Sequence, residues 1–407
     1  MYIRYTFTIM LSWWHYIIIF AAALAGTVVF TPLVRSLAIK YGVVDKPGPR
    51  RVNKEPIPRL GGVGMFMGLA IGILLEIALE SAHVFPPGLV SVIGLKHQII
   101  GICVGVVFIL LVGVVDDIWS LPPAAKFAGQ IIAACIIAYS GTLLSNFKLP
   151  FTDQVVRLGD WSYLITVVYL VCFANVINLI DGLDGLAAGI SGMAALSLFA
   201  LTVGLARNDA SLLAVLLAGA CIGFLFYNFH PASIFMGDSG SLMLGMLLGT
   251  ISLVGATRFS SVTALAVPVV IAGVPVIDTF SAIIRRLRGH QPISAADAGH
   301  IHHRLLRHGF SQRKSVLLIY AWTALLSLGG AVIWNVGGAL KYVVLVVMLA
   351  VSAVIIWKLG LFGPVLQHHY YPDSADSNGE VGEQSIADVA EQNEPAAHSA
   401  QEAHHGK

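Results

Sequence analysis

Four groups of polar residues interrupt an otherwise apolar chain of 407 residues. The first is the run GVVDD, in which Asp116 and Asp117 close an apolar stretch. Adjacent carboxylates at a helix C-terminus face the negative end of the dipole and repel each other. Folding supplies no evident reason to keep them, so a divalent cation or a proton-transfer role is the expected explanation. The second is NVINLIDGLDGLAAG, where Asn175, Asn178 and Asp181 recur every third residue and fall along one helix face. Gly182 and Gly185 then break the helix, with Asp184 on the turn, where it could also cap the next helix. Amides inside a membrane segment are costly. A strip of amides and carboxylates opening into a glycine-rich turn suits a nucleotide or a metal–phosphate group.

The third group is IFMGDSGSLMLG. Gly237 and Gly240 permit close backbone approach, and Asp238 offers a hard oxygen ligand suited to Mg2+. Ser239 or Ser241 could cap the following helix, and Phe235 is either packing or an aromatic plate for a base. The fourth is DAGHIHHRLLRHGFSQRK, with His300, His302 and His303 beside Arg304 and Arg307. Zinc ligation is one reading of the histidines, but no cysteine joins them, and imidazoles among arginines fit a diphosphate better. A proline-stiffened basic segment, DKPGPRRVNKEPIPRLGG, has a composition that also suits anionic lipid. Asp278, in VPVIDTFSAIIRR, is either an intramembrane functional carboxylate or a partner of Arg285 or Arg286.

The elements that must carry these residues follow from composition. Only 11% of the chain is charged, against about 25% in an average globular domain, while 57% is hydrophobic and mean hydropathy is +0.81. Too little charge remains to cover a soluble surface, which excludes a soluble enzyme, a nucleic-acid binder and a disordered scaffold. The apolar runs are continuous rather than alternating, which argues against a transmembrane barrel. The expected fold class is an all-α polytopic integral membrane protein. Runs able to cross about 30 Å of hydrocarbon recur about eleven times, at 16–37, 64–79, 99–115, 124–139, 163–180, 186–205, 212–227, 242–254, 262–284, 315–336 and 342–362. The first is read as an uncleaved helix, because only Arg4 charges the segment before it and the apolar run continues to Ile39.

Fourteen lysines and arginines, Lys126 among them, fall on one face of this map and seven on the other. The positive-inside rule makes the richer face cytoplasmic, with the N-terminus outside and the C-terminus inside, as an odd number of spans requires. The site carboxylates gather on the same face. From Tyr370 onward the chain carries eight acids and one base. It therefore divides into a single transmembrane catalytic domain, 1–366, and an acidic, disordered cytoplasmic tail, 367–407. His368-His369 and His404-His405 are read as solvated tail residues. The four cysteines lie inside apolar runs without CxxC spacing and are read as reduced packing residues.

The set GVVDD, NVINLIDGLDG, FMGDSGS and HIHHRL, in this order across the spans, resembles the polyprenyl-phosphate N-acetylhexosamine-1-phosphate transferases, the glycosyltransferase 4 family. PIPRLGG and HIHHRLL are similar to the TagO/WecA branch rather than its sibling MraY; Asn53 departs from the histidine that relatives often carry in the first basic loop. The resemblance implies a bacterial cytoplasmic-membrane enzyme with its active site on the cytoplasmic face. The implied reaction transfers N-acetylglucosamine-1-phosphate from UDP-GlcNAc to undecaprenyl phosphate, with Mg2+ as cofactor and Mn2+ as a substitute. It would be the first membrane step of teichoic acid or another surface glycan, and a homodimer is the implied assembly. Under this resemblance Asp238, Asp181 and Asn178 are the metal ligands. Asp116 activates the lipid phosphate, and Asp117 supports it or the metal; the alternative mechanism makes one aspartate a nucleophile with a covalent phospho-enzyme. Asn175, Asn178, Asp181, Asp184, Phe235, Lys126 and Arg304 bind substrate, and His302 and His303 steady the diphosphate. The alternatives are an MraY-like phospho-MurNAc-pentapeptide transferase and, in a different class, a nucleotide-sugar or lipid-sugar transporter. A transporter would place its charges near the bilayer midplane rather than at one face.

Overall fold

A computed structural model describes residues 2–46, 56–86, 88–89, 95–148, 154–204, 207–256, 272–288, 299–336 and 340–361. Its helices are α1 (Tyr2–Lys40), α2 (Gly61–Ser81), α3 (Leu95–Trp119), α4 (Pro123–Tyr139), α5 (Trp161–Ile180) and α6 (Leu186–Gly204). They continue with α7 (Asn208–Asn228), α8 (Gly237–Ala256), α9 (Gly273–Arg288), α10 (Ile301–Arg307), α11 (Gln312–Asn335) and α12 (Leu340–Lys358). Two short antiparallel ribbons qualify the all-α expectation. Val44–Asp45 (β1) pairs with Ile57–Pro58 (β2), and Asn146–Lys148 (β3) pairs with Val155–Arg157 (β4). The chain divides into Met1–Val365 and Leu366–Lys407, and the acidic tail lies outside the described residues.

Nine helices among the described residues are long and apolar enough to cross a membrane. They coincide with nine of the eleven expected runs. The fourth expected run is α4, which is apolar but only 17 residues long. The ninth, 262–284, lies partly outside the described residues, and its described end is α9. Burial grades the bundle from centre to rim. The apolar window of α8 is 89% buried and that of α7 is 78%, whereas that of α12 is only 6%. Lipid is as apolar as leucine, so membrane helices gain by close van der Waals approach, which small residues allow. Gly62 meets the backbone of Gly240, Gly113 meets that of Asp238 and Ser239, and Gly245 meets that of Phe173 and Ala174. α8 is thus clasped by α2, α3 and α5 at backbone distance.

α3 carries Asp116 and Asp117 in its last turn, as expected, and ends at Trp119. One boundary differs from the hydropathy reading, and it matters for the site. α8 starts at Gly237 rather than Leu242, because Gly-Asp-Ser-Gly is helical without being apolar. Asp238 therefore sits in the first turn of a helix, where the dipole favours negative charge.

Candidate active site

The last turn of α3 and the first turn of α8 face each other. Asp117 Oδ1 accepts from the Asp238 backbone N–H at 2.8 Å, and Oδ2 accepts from that of Ser239 at 3.0 Å. Arg59 lies 3.4 Å from Oδ1, and the Asp117 side chain is fully buried. This carboxylate caps α8 across a helix–helix contact, satisfying two donors a helix start leaves open. That corrects the expectation that folding has no use for the Asp pair: the unfavourable end of one dipole is offset by the favourable end of another. Asp117 is thereby occupied in positioning α8, not placed on the wall of the cleft.

Asp116 points the other way. Its Oδ1 accepts from the Leu121 backbone N–H at 2.7 Å, closing the α3–α4 turn. Its Oδ2 is 3.3 Å from Lys126 Nζ. The same ammonium donates to Asp238 Oδ2 at 2.5 Å. Asn178 Nδ2 donates to Asp238 Oδ1 at 2.5 Å and to Ser241 Oγ at 2.8 Å. Four elements (α3, α4, α5 and α8) thus converge in one polar chain, Asp116–Lys126–Asp238–Asn178. Asn175 lies on the same helix as Asn178 but one turn deeper, where its amide pairs with Gln130 of α4 and with the Val171 carbonyl. It ties two helices together and does not line the cleft.

The turn between α5 and α6 carries the other two carboxylates. Asp181 ends α5, and burial, reinforced by the Asp238 and Asp117 carboxylates, pushes its carboxyl up to about 7. Asp184 Oδ2 is 2.7 Å from His230 Nδ1 and accepts from the Ala232 backbone N–H at 3.1 Å. It does not act as the α6 cap that spacing allowed. His230 escaped the sequence reading; the signal available was a histidine eight residues before Asp238, beside a proline.

The histidine segment forms α10 beneath this turn. Asp278, expected to be either functional or an arginine partner, accepts from the Ile301 backbone N–H at 2.8 Å and lies 2.9 Å from His300 Nδ1. It therefore fixes the start of α10. His302 is buried with its ring against Gly182, and its Nδ1 has no hydrogen-bond partner. Burial, followed by the neighbouring His303 and His300, holds the His302 imidazole well below its ordinary range, so it is neutral at pH 7. Arg304 Nε donates to the Gly299 carbonyl at 3.0 Å and Nη1 to that of Leu359 at 3.4 Å. These contacts brace α10 against the end of α12, on a side that does not line the cleft.

Between these elements opens a cleft of about 800 Å3. Asn178, Asp181, Asp184, His230, Phe235, Asp238, His302 and His303 line it, together with Arg35, Arg59, Pro56 and the β2 strand. The volume falls in the range of small-molecule sites. The residues of the basic loop at 47–55, Asn53 included, lie outside the described residues. Among the described residues no three His, Cys, Asp or Glu side chains form a ready metal cage. Mg2+ does not need one, since it keeps several waters and takes one or two carboxylates together with phosphate oxygens. Asp238 and Asp181 offer only oxygen, and Asn178 has Oδ1 left after its amide nitrogen is spent. Lys126 already places positive charge on Asp238. Asp181 is raised first by burial and then by the Asp238 and Asp117 carboxylates, and a divalent cation would offset that second contribution. The donor set fits that ion.

Comparison with known proteins gives a consistent result. The profile of glycosyl transferase family 4 matches residues 99–256, the stretch holding GVVDD, NVINLIDGLDG and FMGDSGS. A "probable undecaprenyl-phosphate N-acetylglucosaminyl 1-phosphate transferase" of Bacillus subtilis (strain 168) is 39% identical over 306 residues, covering 75% of this chain and 81% of the relative. A decaprenyl-phosphate N-acetylglucosaminephosphotransferase of Mycolicibacterium smegmatis is 38% identical over 326 residues, covering 74% and 78%. A phospho-N-acetylmuramoyl-pentapeptide-transferase of Moorella thermoacetica is 31% identical over 328 residues, covering 76% and 95%.

Proposed function

The chain belongs to glycosyl transferase family 4, and within it we propose that the protein transfers N-acetylglucosamine-1-phosphate from UDP-GlcNAc to undecaprenyl phosphate. An oxygen of the lipid phosphate attacks the β-phosphorus of the donor. The bond to UMP breaks, and undecaprenyl-diphosphate-GlcNAc forms. The observation that carries this reading is the Asp116–Lys126–Asp238–Asn178 chain beside an 800 Å3 cleft. Transfer between two anions needs positioning and charge neutralisation more than covalent chemistry, and that chain supplies both. The choice of sugar is supported by the N-acetylglucosamine phosphotransferases being more similar, at 38–39%, than the pentapeptide transferase at 31%.

Asp116 is the group placed to take a proton from the incoming lipid phosphate, and Lys126 draws that phosphate toward Asp238. Asp238, Asp181 and Asn178 would hold Mg2+, which when bound neutralises the donor diphosphate. Phe235, half-buried on the cleft wall, offers its face to uracil. His302 and His303 bring imidazoles to the same wall. Asp117, Asn175 and Arg304 act by fixing the helices that carry these groups. The cleft faces the cytoplasm of a bacterial cell, with eleven spans, the N-terminus outside and the tail inside. Fourteen bases against seven support that orientation, and a homodimer is the expected assembly.

The test is purified protein with labelled UDP-GlcNAc, undecaprenyl phosphate and Mg2+, read as UMP release and a labelled lipid product. Turnover of UDP-MurNAc-pentapeptide in place of UDP-GlcNAc would reassign the donor. Inactivity on both would overturn the transferase reading.

A further inference from the structure

His230 lies outside every motif recognised in the sequence, yet its surroundings are built with care. Its Nδ1 is 2.7 Å from Asp184 Oδ2, and its side chain is 34% exposed on the cleft wall. The segment that carries it, between α7 and α8, is fastened from several directions. Ala232 N–H donates to the same Asp184 oxygen at 3.1 Å. Arg313 of α11 donates to the His230 carbonyl at 3.1 Å. Arg35 of α1 donates to the Ser233 carbonyl at 3.0 Å, and the Ser233 N–H returns to the Tyr227 carbonyl at 2.8 Å. A histidine whose Nδ1 is held by a carboxylate has its tautomer and ring plane fixed, and the remaining nitrogen becomes its working atom. Here that atom is Nε2, on a ring that shares the cleft with Asp181, Asp238, His302 and His303.

We propose that His230, oriented by Asp184, binds the diphosphate of the nucleotide-sugar donor through Nε2. The inference rests on the transferase reading for the identity of the donor. In that complex both ring nitrogens donate, Nδ1 to Asp184 and Nε2 to a phosphate oxygen, and a hydrogen bond to an anionic oxygen is charge-assisted. The alternative is that the Asp184–His230 bond only ties the α5–α6 turn to the segment before α8.

Substitutions that separate the two ring nitrogens distinguish these roles. In His230→Asn the short amide keeps a donor near the Nδ1 position, whereas in His230→Gln the longer amide reaches toward Nε2. Steady-state kinetics of the full-length protein with Mg2+ would measure KM for UDP-GlcNAc and for undecaprenyl phosphate separately. His230→Asn is expected to raise the donor KM about tenfold, the loss of one charge-assisted hydrogen bond. The acceptor KM and the melting temperature stay unchanged, and His230→Gln recovers most of the donor affinity. Full donor affinity in His230→Asn, or an effect confined to melting temperature, would overturn the proposal. Calorimetric binding of UDP with Mg2+ keeps this separate from the choice of substrate. If the parent protein fails to turn over UDP-GlcNAc but binds UDP, the sugar assignment falls, while weaker UDP binding by His230→Asn still supports the role of His230. Equal UDP binding by parent and variant overturns it, and a parent that neither binds UDP nor turns over UDP-GlcNAc removes both readings.

Discussion

At the scale of single residues, two neighbouring aspartates do different work. Asp117 turns its oxygens to backbone N–H groups of α8, while Asp116 reaches Lys126 and, through it, Asp238. That these carboxylates matter was legible in the sequence, because lipid expels charge that has no use. Their division of labour was not, since Asp117 and its partner Asp238 are separated by 121 residues. We expect Asp116→Asn and Asp238→Asn to cut turnover by at least about a hundredfold, the scale of a lost acid–base or charge-stabilising group. Both should still insert and purify at parental yield; retained activity in Asp238→Asn would remove it from the site. Asp181 gives a prediction in pH. Its carboxyl is pushed up to about 7 in the folded protein, against about 3.9 in an unfolded chain. Between those values the folded state keeps a proton that the unfolded chain has released, so stability falls as pH rises through that window. In buffer free of divalent cations, Asp181→Asn should therefore melt a few degrees above the parent at pH 8. The two curves should converge toward pH 4, and curves that coincide throughout would take Asp181 out of the buried charge cluster.

At the scale of elements, the site is an assembly of helix ends, and backbone contact sets its precision. Hydropathy located the helices well but misplaced the start of α8, because Gly237, Asp238, Ser239 and Gly240 read as polar loop. Those residues are helical because Asp117 satisfies two of their N–H groups and because Gly62 and Gly113 let α2 and α3 close on them. A side chain at Gly113 would meet the backbone of Asp238 and Ser239, which cannot rotate away. Gly113→Ala should displace the α8 start and lower kcat at least about tenfold, in line with the cost of an ångström-scale misplacement. Gly182 presents a milder conflict, with the His302 ring, so Gly182→Ala should fold and lose activity by pushing α10 from the cleft. Gly204→Ala has open space around it and serves as the control, expected at parental activity. If Gly113→Ala matched that control, the contact between α3 and α8 would not govern the site. The short β1–β2 ribbon, by contrast, has no signature in the sequence beyond its prolines. Pro58 finds a place because its carbonyl accepts from the Phe235 N–H at 2.8 Å, a contact 177 residues away in the chain.

At the scale of the whole molecule, composition alone separated the protein from soluble classes, and charge asymmetry is the ground for the orientation proposed above. Nine described helices stand where hydropathy placed spans, and the carboxylates and histidines that line the cleft belong to helix ends, to the short α10 or to the segments between helices. That follows from solvation: a cleft for a diphosphate and a metal must reach water, while an acceptor phosphate on a lipid chain must arrive from the membrane plane. The side itself can be measured. Tyr41, at the end of α1, is 72% exposed, and Arg157 is exposed on the β3–β4 ribbon. In the proposed topology they flank opposite membrane faces. With the four native cysteines replaced, Tyr41→Cys and Arg157→Cys give two single-thiol proteins. A membrane-impermeant maleimide applied to intact protoplasts should label Arg157→Cys and leave Tyr41→Cys unreacted until the membrane is broken. Tyr41 stands four residues before Asp45, which lines the cleft, so its label reports the face on which UDP-GlcNAc must arrive. The reverse labelling would turn the active site outward, away from any cytoplasmic supply of nucleotide sugar. It would also show that fourteen bases against seven had misled the orientation. Labelling of both thiols in intact protoplasts would mean that the pair does not straddle the bilayer and that the span count between them is even where an odd one is required.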